Sequence, residues 1–77
     1  GPMTESVYVI HDGATLRREG ERLVVYARRE RKDEIRLEGL RQLVLMGNIT
    51  LTPRALGLVV ARGVDTVMLS HCAFRPW

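Results

Sequence analysis

Hydrophobic and polar positions change their rhythm midway along the chain. Val7-Tyr8-Val9-Ile10 is a β-branched and aromatic run, and His11-Asp12-Gly13 ends it with turn chemistry. Leu16-Arg17-Arg18 leads through Glu19-Gly20-Glu21 into Arg22-Leu23-Val24-Val25-Tyr26-Ala27-Arg28. A glycine between two strand-like runs predicts a hairpin, here with a bulged loop. Period-two alternation in the second run puts Leu23, Val25 and Ala27 on one face and Val24 and Tyr26 on the other, so this strand carries apolar groups on both faces. A second turn is expected over Arg29–Asp33, followed by a half-buried strand at Glu34-Ile35-Arg36-Leu37.

The second half reads differently. Leu43-Val44-Leu45-Met46 is a continuous apolar run, the pattern of a strand covered on both sides. After Gly47-Asn48-Ile49-Thr50-Leu51 comes a strong helix start at Thr52-Pro53. Threonine caps the orphan N–H groups, and proline's fixed φ suits the first helical position. Ala55, Leu56, Val59 and Val60 follow at helical spacing, and Arg62-Gly63 supplies a basic last turn and a terminating glycine. Gly57 inside this helix costs about 1 kcal/mol against alanine, which close packing on a sheet would explain. Val64 to Leu69 reads as another strand, most simply parallel to the one before the helix. The expected fold is α+β and mostly β: a small sheet built from two hairpins plus a strand-helix-strand unit.

At 77 residues the chain is one small domain. Gly1-Pro2 ahead of Met3 looks like the remnant of a cleaved tag, leaving 3–77 as the single β-rich domain. Chains of this size bury only ~60% of their unfolded surface, so a partner often completes the core. The 45% hydrophobic content excludes a disordered tail, and no run approaches the roughly 20 apolar residues of a membrane span. One cysteine, Cys72, cannot form an internal disulfide, so a cytoplasmic location without membrane contact is expected. The large aromatic ending, Ala73-Phe74-Arg75-Pro76-Trp77, reads as a boundary cut into a longer chain.

Candidate chemistry is sparse. Neither His11 nor His71 has a second ligand cluster near it in sequence, and His71 and Cys72, adjacent on a strand, would point to opposite faces. The carboxylates sit among arginines, and the glycines follow no phosphate-loop spacing. No catalytic and no metal-ligating residue is predicted. The net charge of +3 is mild, but eleven of the twelve basic residues are arginine, and residues 17–36 hold eight of the twelve. Arg17, Arg18, Arg28, Arg29, Arg31 and Lys32 flank the two predicted turns, where guanidinium forks would suit phosphate. The bland alternative is a solvated face in which interleaved carboxylates neutralise them. Tyr8, Val24 and Tyr26 are the candidate interface residues.

One stretch says more than composition. Val44-Leu45-Met46-Gly47-Asn48-Ile49-Thr50-Leu51-Thr52-Pro53-Arg54-Ala55-Leu56, then Ala61-Arg62-Gly63-Val64 and Val67-Met68-Leu69, resembles the N-terminal β-domain of the CRISPR-associated integrase, the spacer-acquisition endonuclease "Cas-one". Gly13-Ala14-Thr15-Leu16, Arg22-Leu23-Val24-Val25 and Ile35-Arg36-Leu37-Glu38-Gly39-Leu40 extend the resemblance upstream. It implies a β-domain that joins a larger helical domain holding the Glu, His and Asp-type ligands of a divalent metal, Mg or Mn. The part present here would then need no cofactor and be inactive by itself, serving dimerisation and DNA support. The implied partners are a second copy of the chain, a "Cas-two" type dimer and double-stranded DNA. Some members of that family place a tyrosine wedge near the first turn; this chain has His11-Asp12 there, so that role is not carried over. Two other readings stand beside it: a free-standing basic β-domain that binds nucleic acid, and a protein-binding module that caps an integrase dimer.

Overall fold

In a computed structural model, residues 5–69 are described. The expectations for the tag remnant, for His71 and Cys72 and for the aromatic ending fall outside them. The elements run β1 (Ser6–Val9), β2 (Thr15–Glu19), β3 (Arg22–Ala27), β4 (Glu30–Arg36), β5 (Gln42–Met46), β6 (Thr50–Leu51), α1 (Pro53–Ala61) and β7 (Asp65–Leu69). The α+β, mostly β reading holds. The strands do not form one sheet, however, but two: a parallel sheet ordered β1-β5-β7 and a mixed sheet ordered β4-β3-β2-β6. Periodicity identifies strands but not their partners, so the division was invisible in the sequence.

The two sheets and the helix share one core. Leu16, Leu23 and Val25 enter it from the mixed sheet, Val9, Leu43 and Leu45 from the parallel sheet, and Ala55, Leu58 and Val59 from α1. β5 lies centrally between β1 and β7, which accounts for its uninterrupted apolar run: Leu43 and Leu45 point into the core while Val44 is buried between Tyr8 and Val67, its register partners. The parallel pairing of β5 with β7 across α1 agrees with the strand-helix-strand expectation.

Helix α1 starts as predicted. Thr52 is in extended geometry, and its hydroxyl accepts a hydrogen bond from the Ala55 N–H at 3.2 Å, with Pro53 next in line. Its buried face differs from the predicted stripe: Leu58 replaces Leu56 and Val60, which are 50% and 70% exposed. Five of the six residues from Ala55 to Val60 are apolar, so spacing alone did not single out the packed side. Nor does Gly57 serve packing, because a Cβ there would meet nothing within 4 Å.

The hairpins correct two further expectations. The β2–β3 loop has only two residues, Gly20 and Glu21, and Gly20 has φ of +66° as a tight turn with glycine first requires. The irregularity lies instead between β3 and β4, where the register slips past Lys32. The second turn is not Arg29–Asp33 but Arg28-Arg29, and β4 begins at Glu30. Charged residues obscured that edge strand in the sequence; they also blunt it against pairing with other chains.

The Gly47-Asn48 turn is tied to the His11–Gly13 turn. Asp12 Oδ1 accepts from the Asn48 N–H at 2.8 Å, and the Gly13 N–H donates to the Asn48 carbonyl at 2.7 Å. Gly47 has φ of +99°, and a Cβ there would lie 3.0 Å from Asp12 Oδ1. Asp12 is thus a structural clamp holding the two sheets in register.

Candidate nucleic-acid interface

The mixed sheet's outer face carries alternate residues of three strands: Thr15, Arg17 and Glu19 from β2, Arg22, Val24 and Tyr26 from β3, and Arg31, Glu34 and Arg36 from β4. Ion pairing divides the six cations singled out in the sequence into two groups. Arg18 pairs with Glu21 at 3.1 Å, Arg31 with Glu34 at 2.7 Å and Lys32 with Glu30 at 2.9 Å. Arg17, Arg28 and Arg29 have no carboxylate partner among the described residues.

The paired carboxylates feel their partners. Glu34 is gripped from both sides, by Arg22 at 2.8 Å and by Arg31, and the hydrogen bond from Arg22 chiefly holds its carboxyl below the usual glutamate range. Hydrogen bonds from Arg62 to Glu21 and from Lys32 to Glu30 do the same, and Glu21 in turn raises Arg62. These pairs are exposed and screened by solvent, so they add little to stability.

Tyr26 lies half-buried among them. Its hydroxyl donates to Glu19 Oε2 at 2.6 Å, a bond that pushes the phenol above its ordinary value. The Arg17 guanidinium carbon stands 5.9 Å from the Tyr26 ring centre, at the outer range of a cation–π contact. Tyr26 is therefore tied to Glu19 through its hydroxyl and only loosely associated with Arg17.

The remaining interface candidates separate. Val24 has 0% exposure and lies opposite Arg17 and Glu34, long side chains whose stems cover hydrocarbon. The expected apolar second face of β3 is therefore already roofed, and Val24 offers no surface for another chain. Tyr8, by contrast, is 62% exposed on the other sheet. It lies level with Val44 and Val67 on that sheet's outer side, and Ile10 and Leu69 are also exposed nearby in sequence to the two edge strands.

Two concavities flank Arg17. One, of about 390 Å3, is lined by Gly13, Thr15, Arg17, Tyr26, Arg28 and Arg29. The other, also about 390 Å3, is lined by Arg17, Arg18, Thr52, Pro53 and Arg54. Arg54 was not among the sequence candidates; its place one residue past the helix-starting proline was the signal available, and like Arg17 it lacks a carboxylate partner among the described residues. No group of three or more His, Cys, Asp or Glu among the described residues stands close enough to hold a metal ion. No helix among them is long and apolar enough to cross a membrane.

The fold and this surface define a two-sheet α+β domain with an arginine-bearing face. The chain belongs to the family of the CRISPR associated protein Cas1, whose family model matches residues 7–74. Solved structures share the fold. A CAS1 protein from Thermotoga maritima superposes with a TM-score of 0.76 at 24% identity, over 87% of this chain and 22% of its own. A partial Cas6-RT-Cas1–Cas2 complex gives 0.74 at 19% identity, over 87% of this chain and 20% of the matched one. A further Cas6-RT-Cas1–Cas2 complex gives 0.75 at 19% identity, over 91% of this chain and 8% of the matched one. The chain thus spans about a fifth or less of the length of these relatives. No curated protein matches it.

Proposed function

We propose that this chain is the N-terminal β-domain of a CRISPR-associated DNA integrase and endonuclease of spacer acquisition, serving dimerisation and DNA support in the cytoplasm. The observation that carries the reading is the family match across residues 7–74. The arginine-bearing outer face of the mixed sheet supports the DNA role, because unpaired guanidinium groups displace counterions from a phosphate backbone. The exposed Tyr8 on the other sheet supports self-association: a domain this small gains from covering apolar surface. Two of the structures sharing this fold are complexes with Cas2, so a Cas2-type subunit is the further partner, with double-stranded DNA between them. The divalent metal of the parent enzyme does not fit the residues described here, whose donor groups nowhere converge.

Sedimentation and DNA binding test the proposal together. The expected results are a concentration-dependent dimer weakened by Tyr8→Arg, salt-sensitive and sequence-independent binding of duplex DNA, and no cleavage with magnesium or manganese. A strict monomer without DNA binding at low salt would overturn it, and so would strand cleavage by the isolated chain.

A further inference from the structure

Neighbouring carboxylates decide which cations remain available. Of the eleven arginines and one lysine, the described residues leave five without an ion-pair partner: Arg17, Arg28, Arg29, Arg36 and Arg54. Arg36 is set apart, since the concavity it lines also contains Asp33, Glu34 and Glu38. An anion approaching there would meet three carboxylates. The other four line the two concavities that meet at Arg17, and no Asp or Glu lines either one. Glu19 is nearby, but its Oε2 is engaged by the Tyr26 hydroxyl.

We propose that Arg17, Arg28, Arg29 and Arg54 form one strip that grips phosphates of a nucleic-acid backbone, with Arg17 common to its two concavities. The strip rests on the DNA-support reading and specifies which side chains perform it. Arg18, Arg31 and Lys32, drawn from the same basic segment, are held by Glu21, Glu34 and Glu30 and take no part.

Three features suit the strip to phosphate. Each unpartnered guanidinium keeps its fork of donors for the doubly presented oxygens of a phosphodiester. The Tyr26 ring, 5.9 Å from the Arg17 guanidinium carbon, lines the same concavity and offers that cation a weak cation–π contact. The turn at Arg28-Arg29 holds both residues at positive φ, +54° and +66°, where arginine gains nothing for the fold. Strain of this kind persists where the side chains serve another purpose.

The test is the salt dependence of duplex binding, followed by fluorescence anisotropy with the 77-residue chain. Arg17→Ala, Arg54→Ala and the double change Arg28→Ala/Arg29→Ala should each flatten the plot of log affinity against log salt, by about 0.9 for every phosphate that is no longer neutralised. Arg41→Ala removes the same charge from the other sheet, where Arg41 pairs with Glu5, and should leave the slope unchanged. All four strip residues are solvent-accessible, and thermal melting verifies that the variants fold. Duplexes with and without a 5′-terminal phosphate distinguish the source: equal binding assigns internal phosphates, and dependence on the terminal group assigns an end; either result supports the strip. Strip variants that bind with the wild-type slope would overturn it while leaving DNA support to other cations. Absence of binding by the wild-type chain would remove both readings.

Discussion

Replacing Arg28-Arg29 by Asn-Gly should make the protein more stable and a poorer DNA binder. The two residues are the whole loop between β3 and β4, since Ala27 pairs with Glu30, and their φ values of +54° and +66° define a turn with both central residues left-handed. Such turns favour Asn-Gly because a Cβ in that region crowds the following carbonyl, at roughly 1–2 kcal/mol per residue. Glycine at the second position relieves this but loses about 0.5–1 kcal/mol through greater unfolded-chain entropy. Asparagine relieves only part of the strain without that loss. The net gain for the double change is about 1–2 kcal/mol, and no ion pair of either arginine among the described residues offsets it. For a domain this small, roughly 4–8 °C per kcal/mol translates the gain into a rise of roughly 4–16 °C in Tm. Thermal and urea melts followed by circular dichroism would measure it, and Arg29→Val serves as the opposite control, destabilising because a β-branched residue tolerates positive φ worst. A double variant with unchanged or lowered Tm and the same denaturant slope would refute the assignment of strain to this turn.

Gly57→Ala should stabilise by about 0.5–1 kcal/mol, because the added methyl meets open space in mid-helix; a loss of stability in urea titration would show that the position is crowded after all. Leu16→Ala removes a side chain with 0% exposure from the shared core and should cost about 2–5 kcal/mol, enough to leave much of so small a domain unfolded at room temperature, as circular dichroism would report. Stability should also fall in acid. Glu21, Glu30 and Glu34 have folded pKa values below their unfolded ones, so their contribution is complete above the unfolded glutamate value and is lost as pH drops through the lowered folded values. Tyr26, raised chiefly by its bond to Glu19, acts in the opposite sense, contributing below the unfolded phenol value and losing that contribution as pH rises through the folded one. Urea midpoints across the pH range should therefore decline at both extremes, with the acid limb shallower in Glu34→Gln.

Sequence and structure agree where local chemistry decides the outcome. Thr52-Pro53 starts a helix by capping and fixed φ, and Gly20 closes a hairpin because its backbone tolerates positive φ. They diverge where partners decide. Nothing local in Val24 says that Arg17 and Glu34 will cover it, and a helix apolar nearly all round does not reveal that Leu58 packs while Val60 does not. The first half of β4 was hidden because Arg-Lys-Asp has poor strand propensity, yet an outer strand needs apolar residues only toward its one covered face. The arginines illustrate the point for function. In the sequence all six cations near the turns look alike, and only the folded register shows that three have carboxylate partners while Arg17, Arg28 and Arg29 do not. Arg54, distant in sequence, joins them through the packing of α1 beside β2.

The nesting of the two sheets has a kinetic consequence. Strands β2, β3 and β4 are consecutive and joined by two-residue links, so they can zip together at little loop-closure cost. The pair β1–β5, by contrast, encloses that whole meander, matching Ser6 with Gln42, and β7 can add only after α1 has formed the crossover. On a ribosome the first strand therefore emerges long before its mate exists. It must wait, with Val7 and Val9 uncovered, until some 36 further residues have appeared. The arginine-rich meander is then the early-forming half of the molecule, and the sheet bearing Tyr8 the late one.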